Sequence, residues 1–171
     1  GKVAPGHSPL GQGFDINIGG TSYGGPPSFF SPYRNATLPD GEPGEYLPDR
    51  LVDEAIGFIR DHKARPWMVH LWFYTVHWPM QAPESLLKKY ADRTGPGLND
   101  TRYGAMIEAM DLAAIALEHR AVSLDHGVDL FALIRVDQKH DFVMPHMHSL
   151  RIEASPLSGE ARRLILLLAS C

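Results

Sequence analysis

The sequence predicts an α/β fold, and three observations carry that reading. Residues 67–76, Trp-Met-Val-His-Leu-Trp-Phe-Tyr-Thr-Val, are β-branched and aromatic and apolar on both alternating faces. Such a run marks a central, usually parallel strand covered on each side. One helical repeat precedes it and another follows it. Helix, buried strand and helix in that order is the pattern of an α/β sandwich. One strand is not a sheet, however. The sheet is therefore expected to be incomplete here, with its remaining strands supplied from elsewhere.

The elements follow in chain order. Residues 1–48 are rich in Gly and Pro, as in Gly24-Gly25-Pro26-Pro27 and Pro39-Asp40-Gly41, and carry little periodicity. They read as long loops over a scaffold and not as core. So much irregular chain is tolerated where loops are functional or belong to something larger, and the second is the expectation. Leu51, Ala55, Phe58 and Ile59 recur at helical spacing, with Asp49, Arg50, Asp53, Glu54 and Arg60 on the other face. Pro48 suits a first turn, Asp49 complements the helix dipole, and Pro66 enforces a stop before it. After the strand, Pro79 and Pro83 break the chain and a short helix is expected over 84–90. A further helix is predicted over 99–119, with Tyr103, Met106, Ile107, Met110, Ala114 and Leu117 along one stripe. Residues 112–171 differ in kind: they hold no Trp or Tyr but five of the nine histidines. A strand over 128–136 and a short helix over 160–169 are expected there. The organisation read from this is a partial domain over 1–111 and a divergent tail over 112–171.

Composition narrows the function. The chain has 171 residues and a net charge of −4, with no basic patch to hold nucleic acid. The one cysteine, Cys171, rules out an intrachain disulfide and leaves the redox compartment open. No apolar run approaches the roughly 20 residues that cross a bilayer, the longest being 164–169. The chain opens Gly1-Lys2 with no apolar leader, so any targeting segment is expected to have been lost or never to have existed. Two glycosylation sequons, Asn35-Ala36-Thr37 and Asn99-Asp100-Thr101, matter only in a eukaryotic secretory route.

Among residues suited to chemistry, His77 stands out. It follows directly on the buried strand at its carboxyl end, where ligands bind in open α/β sheets. Imidazole suits contact with an anionic oxyester and proton delivery to a leaving oxygen near neutral pH. The alternative is a histidine that caps the strand end or packs under a loop. His70, mid-strand, reads as a buried, hydrogen-bonded core residue. Lys2, by its spacing alone, reads as a solvated lysine. His140, Asp141, His146 and His148 are the one cluster of metal-like residue types, against a reading as a solvated histidine-rich tail. There is no Walker or dinucleotide loop, since Gly11-Gln12-Gly13 lacks the third glycine and the flanking strand. No Gly-x-Ser-x-Gly elbow is present.

In combination these residues resemble a family. Residues 13–20, Gly-Phe-Asp-Ile-Asn-Ile-Gly-Gly, then 46–55, 65–79 with Gln81-Ala82-Pro83, and 103–111 resemble in order and spacing the middle of a bacterial-type sulfatase, over about residues 1–111. The resemblance implies an alkaline-phosphatase-like α/β/α sandwich of which this is an internal fragment. It implies an arylsulfatase-like sulfuric ester hydrolase, which in the intact parent hydrolyses a sulfate monoester of a small molecule or carbohydrate. A formylglycine nucleophile and a calcium ion held by Asp and Asn are implied as cofactors, and a periplasmic or secreted setting for the parent. His77 matches the histidine that contacts the sulfate and protonates the leaving oxygen. Lys2 matches the lysine of a Gly-Lys-Trp-His motif that also faces the sulfate, as substrate-binding residue.

The departures are equally informative. Val3 and Ala4 replace the tryptophan and histidine of that motif, and His7 is out of register. The Cys-x-Pro-Ser-Arg nucleophile motif, the first metal aspartates and the Asp-Asn-Gly calcium segment are not in the sequence, so no metal ligand is assigned. From about Leu112 the resemblance stops, which fits a frameshifted or mis-spliced tail; the same tail intact in an independent transcript would count against that. The expectation is a chain without hydrolytic activity of its own. A central strand lacking sheet partners is also expected to make it poorly soluble. The alternatives are a phosphoesterase of the same superfold and a non-catalytic metal-binding or interaction module.

Overall fold

The computed structural model describes residues 8–64, 66–93, 95, 99–124, 130–136, 148–154 and 164–168. A short 3-10 turn, Pro9–Gln12, leads into β1 (Ile16–Ile18). An irregular stretch then runs to α1 (Leu47–His62), β2 (Trp67–Trp72), α2 (Glu84–Tyr90) and α3 (Thr101–Leu124). Three strands follow: β3 (Leu130–Val136), β4 (His148–Ala154) and β5 (Leu164–Leu168).

The helices form where periodicity and capping predict. Pro48 sits in the first turn of α1 with Asp49 beside it, and the helix ends at His62, ahead of Pro66. Leu51, Ala55, Phe58 and Ile59 are buried as the spacing requires. α3 starts later than expected and runs further, to Leu124, with Ala113, Leu117 and Ala121 extending its buried stripe. At Gly104 a β-carbon would come 2.7 Å from the Tyr90 ring. A glycine costs a helix about 0.5–1 kcal/mol relative to alanine. Here its bareness is what admits the aromatic ring of α2 against α3.

The sheet has five strands in the order β1-β5-β2-β4-β3. β5 lies parallel to both β1 and β2, with Ile16 opposite Leu166 and Val69 opposite Leu166 across the other edge. β4 runs antiparallel to β2 and to β3. The chain thus supplies partners for its central strand on both sides, correcting the expectation that they come from elsewhere. The helix expected over 160–169 is likewise corrected: Leu164–Leu168 is a strand. An unbroken run of Leu and Ile has no polar face to set a period, so it fits a strand covered on both faces as well as a buried helix, and pairing decides.

α1 lies over β2 and β5 and packs against α3. Trp67, Val69 and Leu71 point into this layer and are fully buried, whereas Met68, His70 and Trp72 on the opposite face are half-buried. On that second face the Phe14 ring meets His70 edge-on at 5.6 Å. Among the described residues, helices cover one face of the sheet.

The Gly- and Pro-rich stretch does more than the sequence suggested. Phe29, Tyr33 and Leu38 are fully buried in it and belong to the core. Its backbone is paired, with the Leu47 amide donating to the Phe29 carbonyl at 2.8 Å and the Ser31 amide to Glu45 at 2.9 Å. Isolated apolar anchors separated by turns carry no period, which is why they read as loop.

Candidate functional site

β2 delivers its chain to the site through a steep change in exposure. Phe73, Tyr74 and Thr75 are buried, Val76 and His77 are half-buried, and Trp78 is 70% exposed. The His77 amide donates to the Tyr74 carbonyl at 2.8 Å, closing a turn at the carboxyl end of the strand. The peptide bonds Thr75–Val76 and Trp78–Pro79 are cis. Burial pushes the His77 imidazole below its ordinary value, because a charged ring loses solvation in this turn. Two residues earlier, the buried Thr75 hydroxyl has no hydrogen-bond partner among the described residues.

Contacts at three residues, Tyr74, Gln81 and Trp78, fix this turn against the amino-terminal stretch. The Tyr74 hydroxyl donates to the Gly19 carbonyl at 2.9 Å and receives the Thr21 amide at 3.2 Å. The Gln81 side-chain oxygen accepts the Phe29 amide at 2.8 Å, and the Gln81 carbonyl accepts the Tyr46 hydroxyl at 3.1 Å. Gly25 lies so close to the Trp78 carbonyl oxygen that a β-carbon there would overlap it, and it would sit 3.4 Å from the His77 β-carbon. A second brace joins the Gly19-Gly20 turn after β1. Asn35 donates to the Gly19 carbonyl at 2.8 Å and the Thr37 hydroxyl to the Gly20 carbonyl at 3.0 Å.

The predicted site residues fare differently. His77 does not follow directly on β2, which ends at Trp72, but lies in the turn beyond it. Lys2 lies outside the described residues, as do His140, Asp141 and His146; His148 opens β4. His70 is half-buried between Phe14 and Trp72, at ring separations of 5.6 and 6.5 Å. Tyr74, Gln81 and Gly25 position the site, yet sequence reasoning gave them no role. Their signal was present, because Tyr74 and Gln81 stand inside the quoted motifs, but positioning acts across the chain and leaves no local pattern.

Away from this turn, an open groove of about 510 Å3 runs between β1 and α1, lined by Ile16, Ile18, Arg50, Gly57, Phe58 and Arg60. Its Arg50 is held by Glu54 at 2.8 Å and Glu45 at 3.2 Å. Neither His77 nor Trp78 lines it, so this groove and the imidazole are separate features.

Among the described residues no group of three or more His, Cys, Asp or Glu side chains is placed to hold a metal ion. The donor set for the calcium implied by the resemblance is therefore not found among them, and Cys171 also lies outside them. No described helix is long and apolar enough to cross a membrane. A sequence model of the sulfatase family matches residues 5–123, a span that takes in β1, α1, β2, α2 and nearly all of α3. The match begins after Lys2 and continues past Asp111.

Proposed function

This chain belongs to the sulfatase family, and on that premise we propose that His77 and its turn are the sulfate-contacting wall of a sulfate-ester hydrolase. The observation that carries the proposal is His77 itself, half-buried at the carboxyl end of the central strand with its pKa lowered by that burial. A neutral imidazole offers one N–H to an anionic oxygen and keeps a lone pair. When a sulfate ester docks, its negative charge favours imidazolium, so binding draws a proton onto the ring. In an intact parent that carries the nucleophile, this proton would pass to the ester oxygen as the nucleophile bonds to sulfur and the S–O bond breaks. The leaving group then departs as the neutral alcohol. Lys2 is proposed as a second cationic contact.

In the family-level reading formylglycine supplies the nucleophile and calcium the charge neutralisation. The motifs for both are missing from these 171 residues. We therefore propose that the chain by itself binds sulfate without turnover, its substrate class being a sulfated small molecule or carbohydrate.

The test is a titration of sodium sulfate followed by the His77 ring signals in NMR, paired with release of 4-nitrophenol from 4-nitrophenyl sulfate. Expected are shifts at His77 that vanish in His77→Ala, and release at the background rate. Binding that survives His77→Ala overturns the assignment. Phosphate held far more tightly than sulfate would favour a phosphoesterase.

A further inference from the structure

Trp78 presents the largest exposed aromatic surface at the site, 70% in water, on the residue directly after His77. Its position is built, not incidental. Gly25 seats against its carbonyl oxygen with no room for a β-carbon. The Arg102 guanidinium lies over the indole, 5.6 Å from the ring centroid. Arg102 in turn is oriented by Asp100 through side-chain contacts of 2.6, 3.0 and 3.1 Å. A second exposed aromatic, Tyr23, 57% in water, stands two residues before Gly25 on the loop that braces the turn.

We propose that Trp78 is the stacking platform for the ring that carries the sulfate, that this ring is a pyranose, and that the Asp100–Arg102 pair reads its hydroxyls. The inference rests on the assignment of His77 to the sulfate. Consecutive α-carbons are about 3.8 Å apart, so a ring one or two bonds from a sulfate held at His77 falls within reach of the neighbouring indole. A pyranose needs a flat apolar wall for its C–H face and both donors and acceptors at its rim. Trp78 supplies the first, Arg102 donates, and the Asp100 carboxylate accepts. An aryl ring would use the indole and leave the charged pair idle.

The experiment uses the full chain labelled with 15N, whose three tryptophans give three indole N–H signals. Trp78→Phe assigns the one of interest. The probes are glucose 6-sulfate, 4-nitrophenyl sulfate and sodium sulfate. The sugar sulfate is expected to move the Trp78 signal and to bind roughly three- to tenfold more tightly than sodium sulfate, the range one aromatic contact provides. Trp78→Ala should weaken the sugar sulfate towards the affinity of sodium sulfate while leaving the latter unchanged. Asp100→Asn and Arg102→Gln should weaken the sugar sulfate alone. An unchanged ratio in Trp78→Ala overturns the proposal, as does a Trp78 response to 4-nitrophenyl sulfate with none to the sugar. His77→Ala separates the two readings: it should abolish binding of sodium sulfate and sugar sulfate together. Sodium sulfate lost in His77→Ala with the ratio unchanged in Trp78→Ala sinks only the platform. Absence of sulfate binding to the unaltered chain sinks both.

Discussion

The burial that lowers the His77 pKa also makes the molecule sensitive to acid. The unfolded chain carries this histidine near its ordinary value of about 6.5, and the folded chain holds it lower. Above that value both states are neutral and the stability is full. As pH falls below it, the unfolded state takes the proton first, so stability is lost down to the folded pKa. An NMR titration of the His77 ring should therefore give a midpoint below 6.5, and His77→Gln should flatten the acid side of a stability profile taken by urea unfolding. Sulfate reverses the sign, because the bound anion favours imidazolium, and affinity should rise as pH falls towards the His77 midpoint. Gly25 gives a purely steric prediction. Gly25→Ala sets a β-carbon against the Trp78 carbonyl, and overpacking of this kind costs about 1–3 kcal/mol, readable as a lower urea midpoint. His77 was singled out from sequence because a titratable residue after a buried apolar run has a local signature. Gly25 was not, because its partner is distant in sequence and only packing reveals it.

Elements differ in how openly they declare themselves. α1 could be read in advance because amphipathic spacing, Pro48 and Pro66 all agree. β2 was read too long, since the apolar run continues through 73–76 while the ladder stops at Trp72. Residues past that point are buried by the loop around Gly19, Thr21 and Phe29 and not by strand partners. This loop has its own test. Tyr74→Phe removes the hydroxyl bonded to Gly19 and Thr21, at a cost of about 1–2 kcal/mol, and hydrogen exchange should quicken across residues 19–25 more than in α1. Within the helices the same method separates faces. Leu51→Ala empties a fully buried position and should cost about 2–5 kcal/mol, whereas Leu112→Ala, half in water on α3, should stay within about 0.5 kcal/mol. The strands after α3 were the least legible. Pairing between distant segments made Leu164–Leu168 a strand, and pairing is what a local reading cannot see.

At the scale of the whole molecule, the α/β class was predicted and the family match supports it, while the sheet is richer than expected. Both neighbours of β2 come from residues beyond the family match. A chain cut after Leu124 would leave β2 with two bare edges, and bare edges recruit other chains. The cut chain should aggregate, read by light scattering, at lower concentrations than the full chain does. Equal solubility of the two would show that β4 and β5 do not protect the central strand. The order β1-β5-β2 also governs how the molecule comes into being at the ribosome. The strand that slots between β1 and β2 is the last of the described strands to be synthesised. Before Leu168 is made, β1 and β2 lack the strand that joins them in the folded sheet. Among the described strands, the β1-β5-β2 part of the sheet therefore closes only when Leu164–Leu168 joins it, a pairing of distant segments.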